Sequence, residues 1–159
     1  MVSYWSINNC DHSLGNLMNS IAISLAKSVA EKLNLSTLSK SFDAKFVTVA
    51  SFDLKNISGV MVSVAAKDLS FERISRSQVQ KQIRIDIGIQ SKLRNIETEV
   101  SDLIFLAEQI AELFDGWAND DFNATCIKVE VEPIYSPEHI RQYKQFISVV
   151  TLTFNAYGL

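Results

Sequence analysis

The sequence predicts an α+β domain: a mainly antiparallel sheet with two main helices packed on one face. Two segments have apolar residues at steps of three and four, which is the period of an amphipathic helix. Several others alternate apolar and polar residues, as half-buried strands do. The connections between the middle strands are hairpin-sized, which favours antiparallel pairing. A long hairpin arm and a short helix before the last strand complete the predicted fold.

Length and composition indicate how many domains to expect. The chain has 159 residues, of which 47% are apolar and 21% are charged, close to the average for globular proteins. Its five glycines and two prolines form no linker-like stretch, and the sequence has no internal repeat. We therefore expect one α+β domain over residues 13–159, preceded by an N-terminal extension over residues 1–12.

The first predicted helix runs from Ser13 to about Leu35. Its apolar residues fall on one stripe: Leu14, Leu17, Met18, Ile21, Leu25 and Val29. At about 100° per residue, Ile23 lies on the opposite, outer face of this helix. We predict that another subunit covers this apolar side chain.

Alternation predicts five strands. In residues 82–90, isoleucines 83, 85, 87 and 89 point one way and polar or small residues point the other, so the isoleucine face must be buried. Residues 45–50 and 59–65 form two earlier strands. In a later strand, Ile127, Val129 and Val131 alternate with charged residues, and the last strand is Phe146 to Phe154.

The segment of residues 67–81 lies between two of these strands and is mostly polar. It is too long for a tight turn, so we interpret it as an extended hairpin arm. The arm is locally basic, with Asp68 and Glu72 partly offsetting the basic residues Lys67, Arg73, Arg76 and Lys81. Because Phe71 and Ile74 are spaced apolar side chains within it, we predict that the arm contacts a neighbouring subunit.

The second helix is predicted to start with Thr98 as its N-cap and to end near Gly116, since glycine suits the left-handed C′ position. Its apolar stripe is centred near Ala107, which puts Phe105 almost opposite, among polar residues. We predict that Phe105, like Ile23, is covered by another subunit. Further along, Ser136 and Pro137 are typical of the start of a short helix.

The sequence contains few residue patterns that are typical of catalytic sites. Glycine-rich phosphate loops are missing from the sequence. Residues 10–12 (Cys-Asp-His) include a nucleophile and a base, but residues so close in sequence seldom face one another. Asp86, Glu130 and Glu132 could form a carboxylate or metal site, yet basic residues alternate with them, which favours ion pairs on a solvated face. We expect no enzyme activity and no catalytic, metal-binding or cofactor-binding residues.

Charge, hydropathy and cysteine content indicate which kinds of partner and which cellular compartment to expect. The net charge of −3 is spread along the chain, which argues against nucleic acid as the main ligand and leaves at most incidental contact with DNA. The sequence has no apolar run of about 20 residues and no signal peptide, so we expect no membrane contact. Two cysteines without a C-x-x-C motif favour a reducing compartment.

Three stretches carry a resemblance to a known family. Residues 71–90 contain FERISRSQ followed by QIRIDIGIQ, while residues 132–139 and 145–153 read EPIYSPEH and QFISVVTLT. In this order and at similar spacing, they resemble the tail terminators, or tail-completion proteins, of tailed bacteriophages, which belong to the head–tail joining proteins. The resemblance runs from the first helix to Phe154. It implies helices packed against a sheet, a hexameric ring that caps the tail tube, and no catalytic residues.

The resemblance also implies where the protein works and with what. It implies a structural virion protein of the phage neck, present in the host cytoplasm during assembly. The implied partners are copies of itself, the tail tube protein and the head-side connector or stopper protein. Two alternatives remain open: a head-closure or adaptor protein of the same neck, and a small-molecule-binding or enzymatic α+β domain using Asp86, Glu130 and a loop histidine. The candidate interface residues are Ile23, Phe71, Arg73, Ile74, Arg76, Lys81 and Phe105.

Overall fold

One mixed sheet with helices on one face makes up the described part of the chain. The computed structural model describes residues 20–49, 59–132 and 137–158. In chain order the elements are α1 (Ile21–Leu35), β1 (Ala44–Phe46), β2 (Val60–Arg73), β3 (Val79–Lys92), α2 (Ile96–Phe114), β4 (Ala118–Asn119), β5 (Ala124–Val131), α3 (Pro137–Tyr143) and β6 (Gln145–Gly158).

The sheet has the strand order β1-β2-β3-β6-β5-β4 within these residues. All neighbouring strands are antiparallel except β1 and β2, which pair in parallel. The central strand β3 pairs over its length with β2 on one side and β6 on the other. The α+β prediction is therefore confirmed, including the long hairpin formed by β2 and β3 and the short helix before the last strand.

The core lies between the sheet and the two main helices. All four isoleucines of β3 are fully buried, as the alternation predicts. They pair across the sheet with residues of β2 and β6; Ile87, for example, lies between Val64 and Val150. The helices complete one continuous cluster with the side chains Leu25, Val29, Leu33, Leu103, Leu106, Ile110 and Phe114. Each such side chain contributes about 1.5–3 kcal/mol when it leaves water.

Helix α1 begins later than predicted. Ser20 has an extended backbone, with φ −60° and ψ 135°, and its carbonyl accepts the first helical hydrogen bond, from Ser24 N at 2.9 Å. A continuous helix from Ser13 is therefore wrong, because serine at this position occupies the N-cap, which is not helical. The predicted apolar positions 14, 17 and 18 lie outside the described residues.

Helix α2 begins earlier than predicted, with Asn95 rather than Thr98 as its N-cap. The reason is Glu99, whose Oε2 accepts hydrogen bonds from the backbone amides of Arg94 (2.6 Å) and Asn95 (3.1 Å). Glu99 thereby satisfies two amides that precede the helix, as the glutamate of a capping box does for one. The predicted C-terminus is confirmed, since Gly116 adopts φ +73° directly after the C-cap Asp115.

The alternation predicted for β5 is wrong at Ile127. The register of β5 against β6 shifts between Cys126 and Lys128, so Ile127 is the extra residue of a β-bulge and is 51% exposed. Cys126 takes the buried position opposite Phe154 instead. Val129 and Val131 pack against the core as expected.

The other strand and helix boundaries also differ in length. Strand β1 covers Ala44–Phe46 rather than residues 45–50, and Ala50 lies outside the described residues. Strand β6 continues to Gly158, four residues past the predicted end, because it pairs with β3 as far as Val79. Helix α3 starts at Pro137 as predicted, while its predicted N-cap Ser136 is not among the described residues.

Burial of Cys126 gives a first testable prediction. Desolvation raises the pKa of its thiol to about 11, because the buried site disfavours the thiolate. In a Cys10→Ser variant, we expect Cys126 to resist a disulfide reagent at about pH 8 while the protein is folded, and to react once guanidinium unfolds it. Rapid labelling of the native variant, measured by absorbance of the released thiolate, would contradict this placement.

Candidate subunit interface

The hairpin arm is the distal half of the β2–β3 hairpin. Its last paired residues are Arg73 and Val79, and the backbone amides of Ile74 and Ser75 both donate to the carbonyl of Gln78, at 3.1 and 3.2 Å. Strand β6 supports the β3 side of the arm out to Val79. The arm is therefore hydrogen-bonded to the rest of the sheet and has a defined shape.

Apolar side chains on this arm face solvent. Phe71 is 65% exposed and Ile74 is 52% exposed. Phe71 lies on the helix-bearing face of the sheet, two residues further along β2 than Leu69, which still packs on the core. The Nζ of Lys81, directly opposite, is 5.9 Å from the centre of the Phe71 ring. The arm thus continues the core face beyond the helices and leaves an aromatic ring uncovered by the described residues.

The arm is also basic. Residues 71–81 contain three basic residues and one acidic residue, Glu72, so their formal charge is 3 − 1 = +2. Arg73 Nη1 donates to the backbone carbonyl of Arg76 at 3.3 Å, which holds the two arginines together. Among the residues that the structure describes, no ion pair involves Arg73, Arg76 or Lys81. Their charges are available to a partner.

The outer face of α2 carries the second exposed aromatic side chain. Phe105 is 52% exposed, while Leu103, Leu106, Ala107 and Ile110 are buried, so the predicted helix phase is correct. The ring is surrounded by exposed polar side chains, namely Ser101, Asp102, Glu108 and Glu112. An apolar residue of this size within a polar helix face is a frequent feature of protein interfaces.

Helix α2 is strongly acidic. Its 19 residues contain no lysine or arginine and five acidic residues, Glu97, Glu99, Asp102, Glu108 and Glu112. Asp102 is paired with Lys40, whose Nζ lies 3.3 Å from Oδ2. Gln109, on the same side of the helix, accepts a hydrogen bond from the backbone amide of Ser39 at 3.0 Å. The loop after α1 therefore covers one flank of α2, whereas the flank with Glu108 and Glu112 stays open.

The side chain of Ile23 is less exposed than predicted. It is half-buried, whereas Lys27, one turn further along α1, is exposed. Asn16 and Asn19, which a helix starting at Ser13 would place beside Ile23, lie outside the described residues. The two helices therefore differ, and the structure singles out Phe105 rather than Ile23 as an uncovered apolar side chain.

The sheet face that bears no described helix, the helix-free face, carries the carboxylates considered above as a possible catalytic or metal site. Asp86 Oδ2 is 4.0 Å from Lys67 Nζ, and its Oδ1 accepts a hydrogen bond from Thr151 Oγ1 at 2.7 Å. Glu130 Oε1 lies 2.6 Å from Lys128 Nζ. Glu132, beyond the end of β5, is exposed. The arrangement agrees with ion pairs on a solvated face.

The electrostatics of this face favour ionised carboxylates. Two hydrogen bonds from the Arg84 guanidinium hold the pKa of Asp68 below its ordinary value. The hydrogen bond from Lys128 lowers the pKa of Glu130 in the same way. A general acid needs a raised pKa near neutral pH, so the shifts run opposite to that requirement.

Metal ligands, a membrane-spanning helix and the residues 10–12 with His139 are the remaining candidates for a functional feature. Within residues 20–49, 59–132 and 137–158, no group of three or more His, Cys, Asp and Glu side chains could hold a metal ion. No helix in these ranges is long and apolar enough to cross a membrane. Cys10, Asp11 and His12 lie outside the described residues, as does the side chain of His139.

Sequence reasoning overlooked one exposed aromatic residue near the arm. Tyr157, which is 43% exposed, lies opposite Gln80 on the neighbouring strand β6. The predicted strand ended at Phe154, although the alternation of polar Asn155 and apolar Ala156 continued the signal.

In comparisons with known proteins, no family model matches the chain and no curated protein matches it significantly.

Proposed function

We propose that this protein is a tail terminator of a tailed bacteriophage, a structural protein that forms a ring on the end of the tail tube. The ring, a hexamer by the family resemblance, ends tube growth and offers a docking surface to the head-side connector or stopper protein. The neck assignment is supported by the resemblance of residues 71–90, 132–139 and 145–153 to that family.

The observation that carries the assembly role is the pair of uncovered aromatic surfaces. Phe71 on the arm and Phe105 on α2 are each more than half exposed and lie on different elements of one subunit. A ring-forming subunit needs two such surfaces, because each copy contacts a neighbour on either side. The paired carboxylates on the helix-free sheet face favour this assembly role over the enzymatic alternative.

A nonsense mutation in the gene on the phage genome tests the neck role. We expect lysates with heads and tails made separately, and with tails that are abnormally long or uncapped in electron micrographs. A host that supplies the protein from a plasmid should restore joined particles. Joined particles with tails of normal length in the mutant lysate would refute the proposal, while unjoined tails of normal length would favour another neck component.

A further inference from the structure

The geometry points to a specific contact between copies: we propose that the arm tip of one subunit docks on the acidic face of α2 of the next. The arm tip is defined as residues 71–81, and the acidic face as Phe105, Glu108 and Glu112. The choice of a second copy as the occupant rests on the proposed ring. The pairing of these two surfaces with each other rests on the charges, exposures and positions that follow.

Charge complementarity is the first support. The arm tip has a formal charge of +2, while α2 contains five acidic residues and no basic one. Neither Glu108 nor Glu112 forms an ion pair with any residue that the structure describes, and the same holds for Arg73 and Arg76. Complementary potentials of this kind select partners and fix their register.

Each surface also repels itself. Glu108 and Glu112 are spaced i, i+4 on α2, a spacing at which like charges destabilise a helix. The arm tip concentrates a formal charge of +2 in residues 71–81, and its Arg73 guanidinium is bonded to the Arg76 carbonyl in the same turn. A contact between two arm tips, or between two α2 faces, would bring like charges together. Contact of an arm tip with an α2 face relieves both repulsions.

The apolar side chains match as well. The arm tip presents Phe71 and Ile74 beside its basic groups, and the acidic face presents Phe105 beside its glutamates. Both surfaces therefore have an apolar centre and a charged rim, the arrangement found in specific interfaces. Aromatic and arginine residues at such positions commonly dominate binding.

Their positions make the contact intermolecular. The arm tip is the end of the β2–β3 hairpin and lies beyond the helices, whereas α2 packs on β5 and on β6, the strand next to β3. Phe105 points away from the sheet, and among the described residues no ion pair joins α2 to the arm. Two different surfaces of one chain that bind each other give a head-to-tail contact, which closes into a ring when the rotation between copies allows it.

Charge reversal on the full-length protein tests the pairing. The arm variant carries Arg73→Glu and Arg76→Glu, and the helix variant carries Glu108→Arg and Glu112→Arg. We expect each to associate on the order of a hundredfold more weakly than the wild type, because like charges then meet at the contact. The double-reversed protein should recover association. An equimolar mixture of the two variants should also recover it, since each then offers the surface that the other needs.

A matched control separates specific pairing from a general change in charge. Asp120→Arg with Asp121→Arg changes the charge by the same amount at exposed positions just beyond α2, and we expect unchanged association. All substituted residues are exposed or lie in the arm turn, so unchanged circular dichroism and melting are expected for every variant. Association is read from the molar mass in solution as a function of protein concentration.

Three outcomes would overturn the pairing and are distinguishable from one another. If the single variants weaken association but the double-reversed protein does not recover it, the two surfaces bind different partners; the ring proposal then stands and the pairing is wrong. If the wild type stays monomeric at every concentration and on purified tails, the ring proposal fails together with the pairing. Single variants that associate like the wild type would also show the pairing to be wrong.

Discussion

Replacement of Ile87 by aspartate is expected to unfold the protein. Ile87 is fully buried at the centre of β3, between Val64 of β2 and Val150 of β6. The substitution removes an apolar side chain from the core and places a carboxylate there without a partner. Losses above about 4 kcal/mol are typical of such changes, and a domain has only about 5–15 kcal/mol of stability in total.

A matched control for this prediction lies on the same strand. Gln82 is exposed and points to the opposite face of β3, so Gln82→Asp introduces the same residue into water and should leave the melting temperature nearly unchanged. Circular dichroism and thermal melting distinguish the two variants. If Ile87→Asp melted cooperatively within about 1 kcal/mol of the wild type, the isoleucine face could not be the core.

The isoleucine strand shows why the core could be predicted from the sequence. Four β-branched residues at a period of two specify a strand and its buried face together, because a slip of one residue would expose all four. The stripe of α2 is equally informative, since its 3.6-residue period fixes both the buried residues and the outward direction of Phe105. In these elements, the local pattern and the tertiary environment agree.

The sequence-based predictions are wrong where a single local interaction, rather than the apolar periodicity, sets the backbone conformation. The bulge at Ile127 adds one residue to β5, and an alternation rule cannot detect an added residue before the pairing partner is known. The start of α2 depends on one carboxylate, that of Glu99, which reaches back to the amides of residues 94 and 95. At Ser20, the extended backbone sets the N-terminus of α1, although the helical spacing of apolar residues continues before it in the sequence.

The candidate interface was predictable in its parts but not as a pair. The exposed side chains Phe71 and Phe105, and the acidic composition of α2, follow from the sequence. Their relative placement does not, because it depends on the strand order that puts β6 between β3 and β5. That order puts the arm on β2 and β3 and α2 over β6 and β5, and the proposed contact pairs these two surfaces between copies.

Replacement of Phe105 by glutamate is expected to leave the monomer folded and to weaken assembly. Phe105 is 52% exposed and its neighbours on α2 are polar, so the substitution removes little buried area. Glutamate also has a somewhat better helix propensity than phenylalanine, and the stability should stay within about 0.5 kcal/mol of the wild type. If another subunit covers the ring, however, the contact loses the transfer free energy of the exposed half of the phenylalanine, about 0.8–1.5 kcal/mol.

That loss corresponds to an association roughly four- to tenfold weaker, measured as the concentration at which the molar mass in solution falls to that of the monomer. Phe105→Gln separates the loss of the aromatic ring from the added charge. We expect it to weaken association at least as much as Phe105→Glu, because the glutamate added by Phe105→Glu would face the basic arm tip. Phe114→Glu on the same helix is the matched control for folding, because Phe114 is fully buried and its replacement should unfold the monomer. Unfolding of Phe105→Glu would mean that the ring is part of the core and that the helix phase is wrong. Unchanged assembly would mean that this face of α2 meets only solvent, because a glutamate at a covered position cannot be accommodated without cost.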